Sequence, residues 1–358
     1  HLSIRRQRQM CIRDRGHEVA CEQLEVPYKV PPRPLVSLEK MAELRVDEAE
    51  DSVTVSGKDF HVVFSKKSGT ILSLTYGSQT IIAGSSQMTN GPLLNVFRAP
   101  TDNDIWMTGK FYNSGLSQLQ HRLKSFRVKA KDKKVIQVET IIECLGFKGA
   151  GFEHSCLYTI LGDGSIVLDN NVNPLGSLPL LPKLGLKMTI SGELENFAWL
   201  GRGPGESYPD RKTSCDIGFY SGKVAEQYVE YVRPQENGNK EDVRWLALTN
   251  SSGAGVLILS EKTMSITASH YTADDLDQAR HKDGQPRRFN RLQPRKDIIL
   301  CLDYKQMGLG GASCGPPPLE KYILYAKPFN FRFILRPYAP QMGEMRDVAR
   351  GSISFYVI

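Results

Sequence analysis

Side chains able to do chemistry gather in four places along this chain. In Asn95–Asp104, Arg98 is followed closely by Asp102, Asn103 and Asp104 after a strand-like run. Such a cluster can grip a ligand at a cleft. It can also hold a loop, with Arg98 paired to a carboxylate and Asn103 and Asp104 satisfying turn amides; the second role is the expectation. Trp199–Arg211 is dense in glycine and proline, which fix backbone geometry more than they do chemistry. Its charged members Arg202, Glu206, Asp210 and Arg211 are expected to form a buried ion-pair network that holds the loop. In Gln235–Asn239 the Asn237-Gly238 pair suits the positive dihedrals of a tight turn. Glu236 beside His270 or His281 would make a general base and acid for proton transfer, yet the expectation for this turn is architectural. The last place is the glycine-rich loop Gly308–Gly315, stiffened by Pro316–Pro318. Its Cys314 has no histidine or basic neighbour in sequence to lower its pKa, so a nucleophilic role is not expected.

Composition bounds what these clusters serve. The chain has 358 residues, 40% hydrophobic and 24% charged, ordinary for a globular protein with room for a sizeable core. No apolar run approaches the ~18 residues of a membrane helix, which argues against a membrane role. The net charge of +7 is concentrated: Arg5, Arg6, Arg8, Arg13 and Arg15 against Asp14 supply four of the seven charges. The weak remainder argues against nucleic acid, which needs a basic groove or a recognised module. Seven cysteines, at positions 11, 21, 144, 156, 215, 301 and 314, include no C-x-x-C pair. They read as reduced apolar residues in strands, with a Cys144–Cys156 pair across a hairpin left open.

The elements that must position these residues are short strands. Residues 1–15 show neither helical nor strand periodicity and read as a foreign or artefactual segment. Gly16–Val26 ends in a strand, and Pro27, Pro31, Pro32 and Pro34 then make an extended linker. From about residue 51 apolar and polar residues alternate. Phe60, Val62 and Phe64 face a returning strand at 71–76 across the turn 65–69. Further hairpins join 156–161 to 166–172 and 245–249 to 256–259. The best helical candidate is a short turn in which Thr272 caps Asp274 to Arg280. Many antiparallel strands at short spacing imply an all-β sandwich or barrel.

The long motif Trp199–Arg211, followed by Tyr231–Asn239, resembles the C-terminal β-domain of the large bacterial β-galactosidases of glycoside hydrolase family 2. Asn95–Asp104 upstream, and Tyr271–Leu276 and Asp303–Gly311 downstream, agree in order. The resemblance covers residues 50–338 and implies a large antiparallel two-sheet supersandwich, similar in fold to galactose mutarotase. It makes 16–34 the remnant of an immunoglobulin-like domain plus linker, with Cys21 where the family usually has tryptophan, and 339–358 a C-terminal extension with 352–358 as a possible extra strand.

In that family the glycosidic bond is cut elsewhere, by two glutamates on a TIM-barrel domain. Retaining hydrolysis needs two carboxyl groups about 5–5.5 Å apart, and the resemblance places neither in this chain. The magnesium and monovalent cation belong to the complete enzyme, and no cofactor or metal is expected in this part. Asp102, Asn103, Asp104, Trp106 and Cys314 are implied to border the substrate, with Ile105–Gly109 on a mobile loop. Cys314 stands where well-known members have a sugar-stacking tryptophan. Arg98, Arg202, Glu206, Asp210, Arg211, Glu236 and Asn237 are implied to be structural. The implied partners are a β-galactoside or galactose at the domain edge and the TIM-barrel part of the same enzyme or a large subunit, in an oligomer when complete, in a bacterial cytoplasm or periplasm. The alternative is a free-standing carbohydrate-binding or mutarotase-like protein, which requires Glu236 and a histidine to converge in one pocket.

Overall fold

The computed structural model describes residues 3–7, 21–28, 38–83, 90–279 and 292–350. Strand pairing is antiparallel throughout the described residues. A ribbon joins β1 (Ser3–Gln7) to β2 (Cys21–Glu25). A five-stranded meander follows: β3 (Arg45–Glu48), β4 (Ser52–Ser56), β5 (Phe60–Ser65), β6 (Ile71–Tyr76) and β7 (Gln79–Ile82). The large sheet has β8 (Leu93–Asn95), β9 (Gln120–Asp132), β10 (Val135–Leu145), β11 (Gly151–Leu161), β12 (Ile166–Leu175) and β13 (Lys183–Ile190). Its other members are β14 (Asn196–Gly203), β15 (Asp216–Lys223), β16 (Lys240–Thr249), β17 (Gly255–Ser269), β18 (Ile298–Gln306) and β19 (Phe329–Tyr338).

The body is thus all-β with two main sheets, and the three hairpins read from alternation are present as β5–β6, β11–β12 and β16–β17. The long strand β17 organises the large sheet. Gly255–Ser260 pairs with β19, and Ser265–Ser269 pairs instead with β18, so the sheet branches there. β18 carries β13, and β13 carries β8, which delivers the chain to Arg98.

Period-two burial drives these strands. Ile136, Val138, Thr140, Ile142 and Cys144 of β10 point inward while Glu139, Ile141 and Glu143 are partly exposed, which is the pattern of a half-buried strand. The main core joins the meander to the large sheet: Phe64 meets Tyr158 edge-on at 5.1 Å, and the Tyr76 hydroxyl donates to Gly164 O at 3.0 Å. Trp199 is buried against Phe197, ring centres 4.7 Å apart. Each such side chain contributes about 1.5–3 kcal/mol by leaving water.

Two expectations are corrected, and the open question of a Cys144–Cys156 pair is decided. Ser3–Gln7 forms a strand with β2, although its sequence lacks alternation; backbone pairing needs no side-chain pattern. Cys144 and Cys156 do not pair, because the register sets Cys144 opposite Phe152 and Cys156 opposite Thr140, and both thiols are free. Ile105–Gly109 is not loop but the start of α1 (Ile105–Ser114), whose Met107 and Phe111 are buried one turn apart and which ends at Gly115 in left-handed conformation. The expected short helix is α2 (Ala273–Ala279), with Thr272 N donating to Asp275 and Asp275 N to the Thr272 hydroxyl. Arg280, His281, Cys11, most of the proline linker and the closing stretch 352–358 lie outside the described residues.

Candidate functional site

The site grows from Arg98. Its guanidinium donates through Nη2 and Nε to the two oxygens of Asp104 at 2.8 and 3.2 Å, and through Nη1 to Met307 O at 3.0 Å and Gln306 Oε1 at 3.3 Å. Arg98 is 1% exposed. Burial opposes ionisation of Asp104, but the guanidinium outweighs it and holds the carboxyl below its ordinary range. Asp104 Oδ2 also accepts from Thr101 N and Oγ1 at 2.8 and 3.0 Å. One planar fork therefore fastens the 101–104 turn to the start of the 307–315 loop.

Neighbouring loops are tied to this turn by side chains. Asn103 donates to Gly310 O at 3.0 Å and accepts from Ser313 N at 3.1 Å. Asp210 approaches the same loop through Leu309 N and Gly310 N at 2.9 and 2.7 Å. Asp102 pairs with Arg233 at 3.0 Å, and its N–H donates to Gln235 Oε1 at 3.1 Å. Glu206 accepts from Gly238 N at 2.9 Å and from the Tyr231 hydroxyl. Asn237 accepts from Val229 N at 3.0 Å, and Gly238 takes φ 76°.

The Trp199–Arg211 charges do not form the buried network expected of them. Arg202 instead pairs with Asp242 at 2.5 Å, Glu206 and Asp210 reach separate loops, and Arg211 is exposed. In a tight Gly/Pro loop, side chains close in sequence point apart and find partners across the fold.

The buried charges lie beneath, where sequence reasoning had not placed them. Lys183 Nζ sits 2.9 Å from Asp303 Oδ2 and 3.4 Å from Glu236 Oε1, all three nearly sealed from water. Gln306 Nε2 bonds Asn239 Oδ1 at 2.7 Å, and Asn239 Nδ2 bonds Glu241 Oε1 at 2.9 Å, which also accepts from the Ser265 hydroxyl at 2.5 Å. Burial pushes Asp303 up to about 6, and Glu236 competes with it for the one ammonium. Gly185 faces Asp303 because a Cβ there would lie 2.4 Å from its Cα. The available signal was a charge inside an apolar strand pattern, Lys183 in β13 and Asp303 in β18, since a fully buried charge demands a partner.

Above this base the edge presents Trp106, 40% exposed on α1, and Cys314, exposed on the 307–315 loop. The Asn103 bonds join the turn that precedes Trp106 to Ser313, the neighbour of Cys314. Two carboxylates, Glu236 and Asp303, share the single Lys183 ammonium in an interior nearly sealed from water. No described histidine bonds Glu236: His270 pairs with Glu195 at 2.9 Å, and His154 with Asn170 at 2.9 Å. Among the described residues no group of three or more His, Cys, Asp or Glu could hold a metal ion. No helix of the described residues is long and apolar enough to cross a membrane.

Residues 56–335 match the family model described as beta galactosidase small chain. The chain is 32% identical to a beta-galactosidase of Priestia megaterium over 94% of its own length and 31% of that protein. It is 33% identical to a beta-galactosidase of Kluyveromyces lactis, over 89% of its length and 30% of that protein. It thus spans about a third of the length of the curated relatives it matches. Among solved structures, a GalM/aldose epimerase homologue from C. elegans aligns with 83% of the chain and 99% of its own at 10% identity, TM-score 0.40. A galactose mutarotase-like protein from Lactobacillus casei aligns with 80% of the chain and 100% of its own at 10% identity, TM-score 0.39.

Proposed function

The chain belongs to the beta-galactosidase small-chain family, and on that premise we propose that it is the non-catalytic β-domain of a β-galactosidase acting on terminal β-D-galactosides. In this reading it lends the α1 edge and the 307–315 loop to a sugar site whose two catalytic carboxyl groups lie in the other part of the enzyme. The observation that carries the proposal is the family match over 56–335 in a chain only about a third as long as its relatives.

The edge has the chemistry such a role needs. Trp106 supplies a ring face for a sugar, and the Asp102–Arg233 pair offers polar groups for hydroxyls. Ile105, at the start of α1, and Val232, beside the Arg233 that pairs with Asp102, are 54% and 80% exposed. Apolar residues left uncovered at one end are suited to docking on a partner surface, here the catalytic part. Magnesium, the monovalent cation and oligomer assembly belong, on this proposal, to the complete enzyme.

The test is activity by parts. The purified chain is expected to fold and to leave a chromogenic galactoside intact, whereas the chain joined to its catalytic part hydrolyses it with retention. Turnover by the chain alone, surviving Glu236→Gln and removal of host enzyme, would overturn the proposal.

A further inference from the structure

Two loops that converge from distant parts of the chain meet through the side chain of Asn103. Asn103 lies two residues before α1 and uses both ends of its carboxamide on the 307–315 loop, donating to Gly310 O and accepting from Ser313 N. No other side chain in the hydrogen bonds described joins that turn to the exposed tip of the loop. Arg98 grips the loop only at its base, Gln306 and Met307, and Asp210 holds its other flank through Leu309 and Gly310. The tip is otherwise closed on itself, with Cys314 N and Gly315 N both donating to Gly311 O at 3.1 and 2.6 Å. Gly310 takes φ 64°, and a Cβ there would meet Pro318 N at 2.5 Å. The tip is therefore a preformed body, and Asn103 is the side chain that ties it to the turn before α1.

We propose that Asn103 is a positioning residue that fixes the Cys314-bearing loop relative to Trp106, and so sets the width of the sugar-binding edge. The proposal rests on the reading of this edge as part of a galactoside site. A carboxamide suits the task because it offers a donor and an acceptor in one plane. Aspartate keeps the acceptor for Ser313 N and loses the donor to Gly310 O, and alanine loses both. The two halves of the bridge can thus be separated.

The first measurement is amide hydrogen exchange on the full chain. Asn103→Ala is expected to speed exchange at Ser313 by about tenfold or more, and to a lesser degree at Leu309 and Gly310, with β13 unchanged. Asn103→Asp keeps Ser313 protected. Unaltered exchange across 309–313 in Asn103→Ala overturns the bridge, as does acceleration spread over the whole sheet, which would mean general destabilisation. Should Asn103→Ala not fold, Asp210→Asn loosens the loop from its other flank; Ser313 then stays protected if Asn103 holds the tip independently, and its loss there overturns the proposal.

The second measurement uses the complete enzyme. There Asn103→Ala is expected to raise KM for a galactoside about fivefold while kcat stays within about twofold, with Asn103→Asp intermediate. Freed exchange with unchanged KM would leave the bridge standing but reject its role at the site, while an unchanged KM in Trp106→Ala as well would reject the reading of this edge as a sugar border.

Discussion

Arg98 shows how one residue's chemistry can bind an edge together. It spends its guanidinium on a carboxylate, an amide oxygen and a backbone carbonyl, all buried. Lysine has a single ammonium and no fork, so it cannot reproduce these directions. Removing the cation leaves Asp104 as an uncompensated buried charge. Arg98→Ala is therefore expected to cost about 3–5 kcal/mol, read as a lower urea midpoint with unchanged slope, and Asp104→Asn in the same chain should recover part of it. A loss under about 1 kcal/mol would mean that water reaches Asp104 freely.

At the scale of elements, the β1–β2 ribbon differs from everything after it. Its described contact with the large sheet is Gln23, whose carboxamide accepts from Ile217 N and donates to Ile217 O, both at 2.6 Å. That amide stands in for a strand residue on β15, which terminates the sheet order. Among the described residues, neither hydrophobic cluster contains one before Met41. Deleting residues 1–15 removes β1 and leaves the core formed by the described residues from Met41 onward, so the thermal midpoint of the main transition is expected to move by less than about 2 °C. A drop of several degrees would show that the ribbon stabilises the body and that 1–15 is no foreign appendage.

Across the whole molecule, two buried groups oppose each other in the dependence of stability on pH. Burial lowers His154 to about 4, against an ordinary 6.5, and raises Asp303 to about 6 from 3.8. Between pH 4 and 6.5 the unfolded chain binds more protons at His154 than the folded one, so this residue makes stability fall as the pH falls. Asp303 has the reverse sign: between about 4 and 6 the folded chain holds the extra proton, so stability falls as the pH rises. Each effect amounts to about 3 kcal/mol end to end. Relative to the parent, His154→Gln should tilt the stability profile toward acid and Asp303→Asn toward neutral pH, measured by chemical unfolding at pH 4.5, 5.5 and 6.5 as rough set points. Parallel profiles for parent and variants would contradict both assignments.

What the sequence determined by itself were the features that repeat or are spelled locally. Alternation in β5, β6 and β11 named the hairpins, Thr272 named the start of α2, and the Trp199–Arg211 and Tyr231–Asn239 motifs named the family. Local signals for α1 were present too, with Met107 and Phe111 one turn apart and Gly115 as its stop, yet Gly109 and the polar residues around it obscured them. The tertiary structure alone decided the partners of charge. Arg98 meets Met307, Asn103 meets Gly310, and Lys183 meets both Glu236 and Asp303, pairings that span 53 to 209 positions. A strand's period says which face a side chain takes; which distant side chain it finds there is set by how the sheets close on one another, because buried charges must pair wherever the fold brings them.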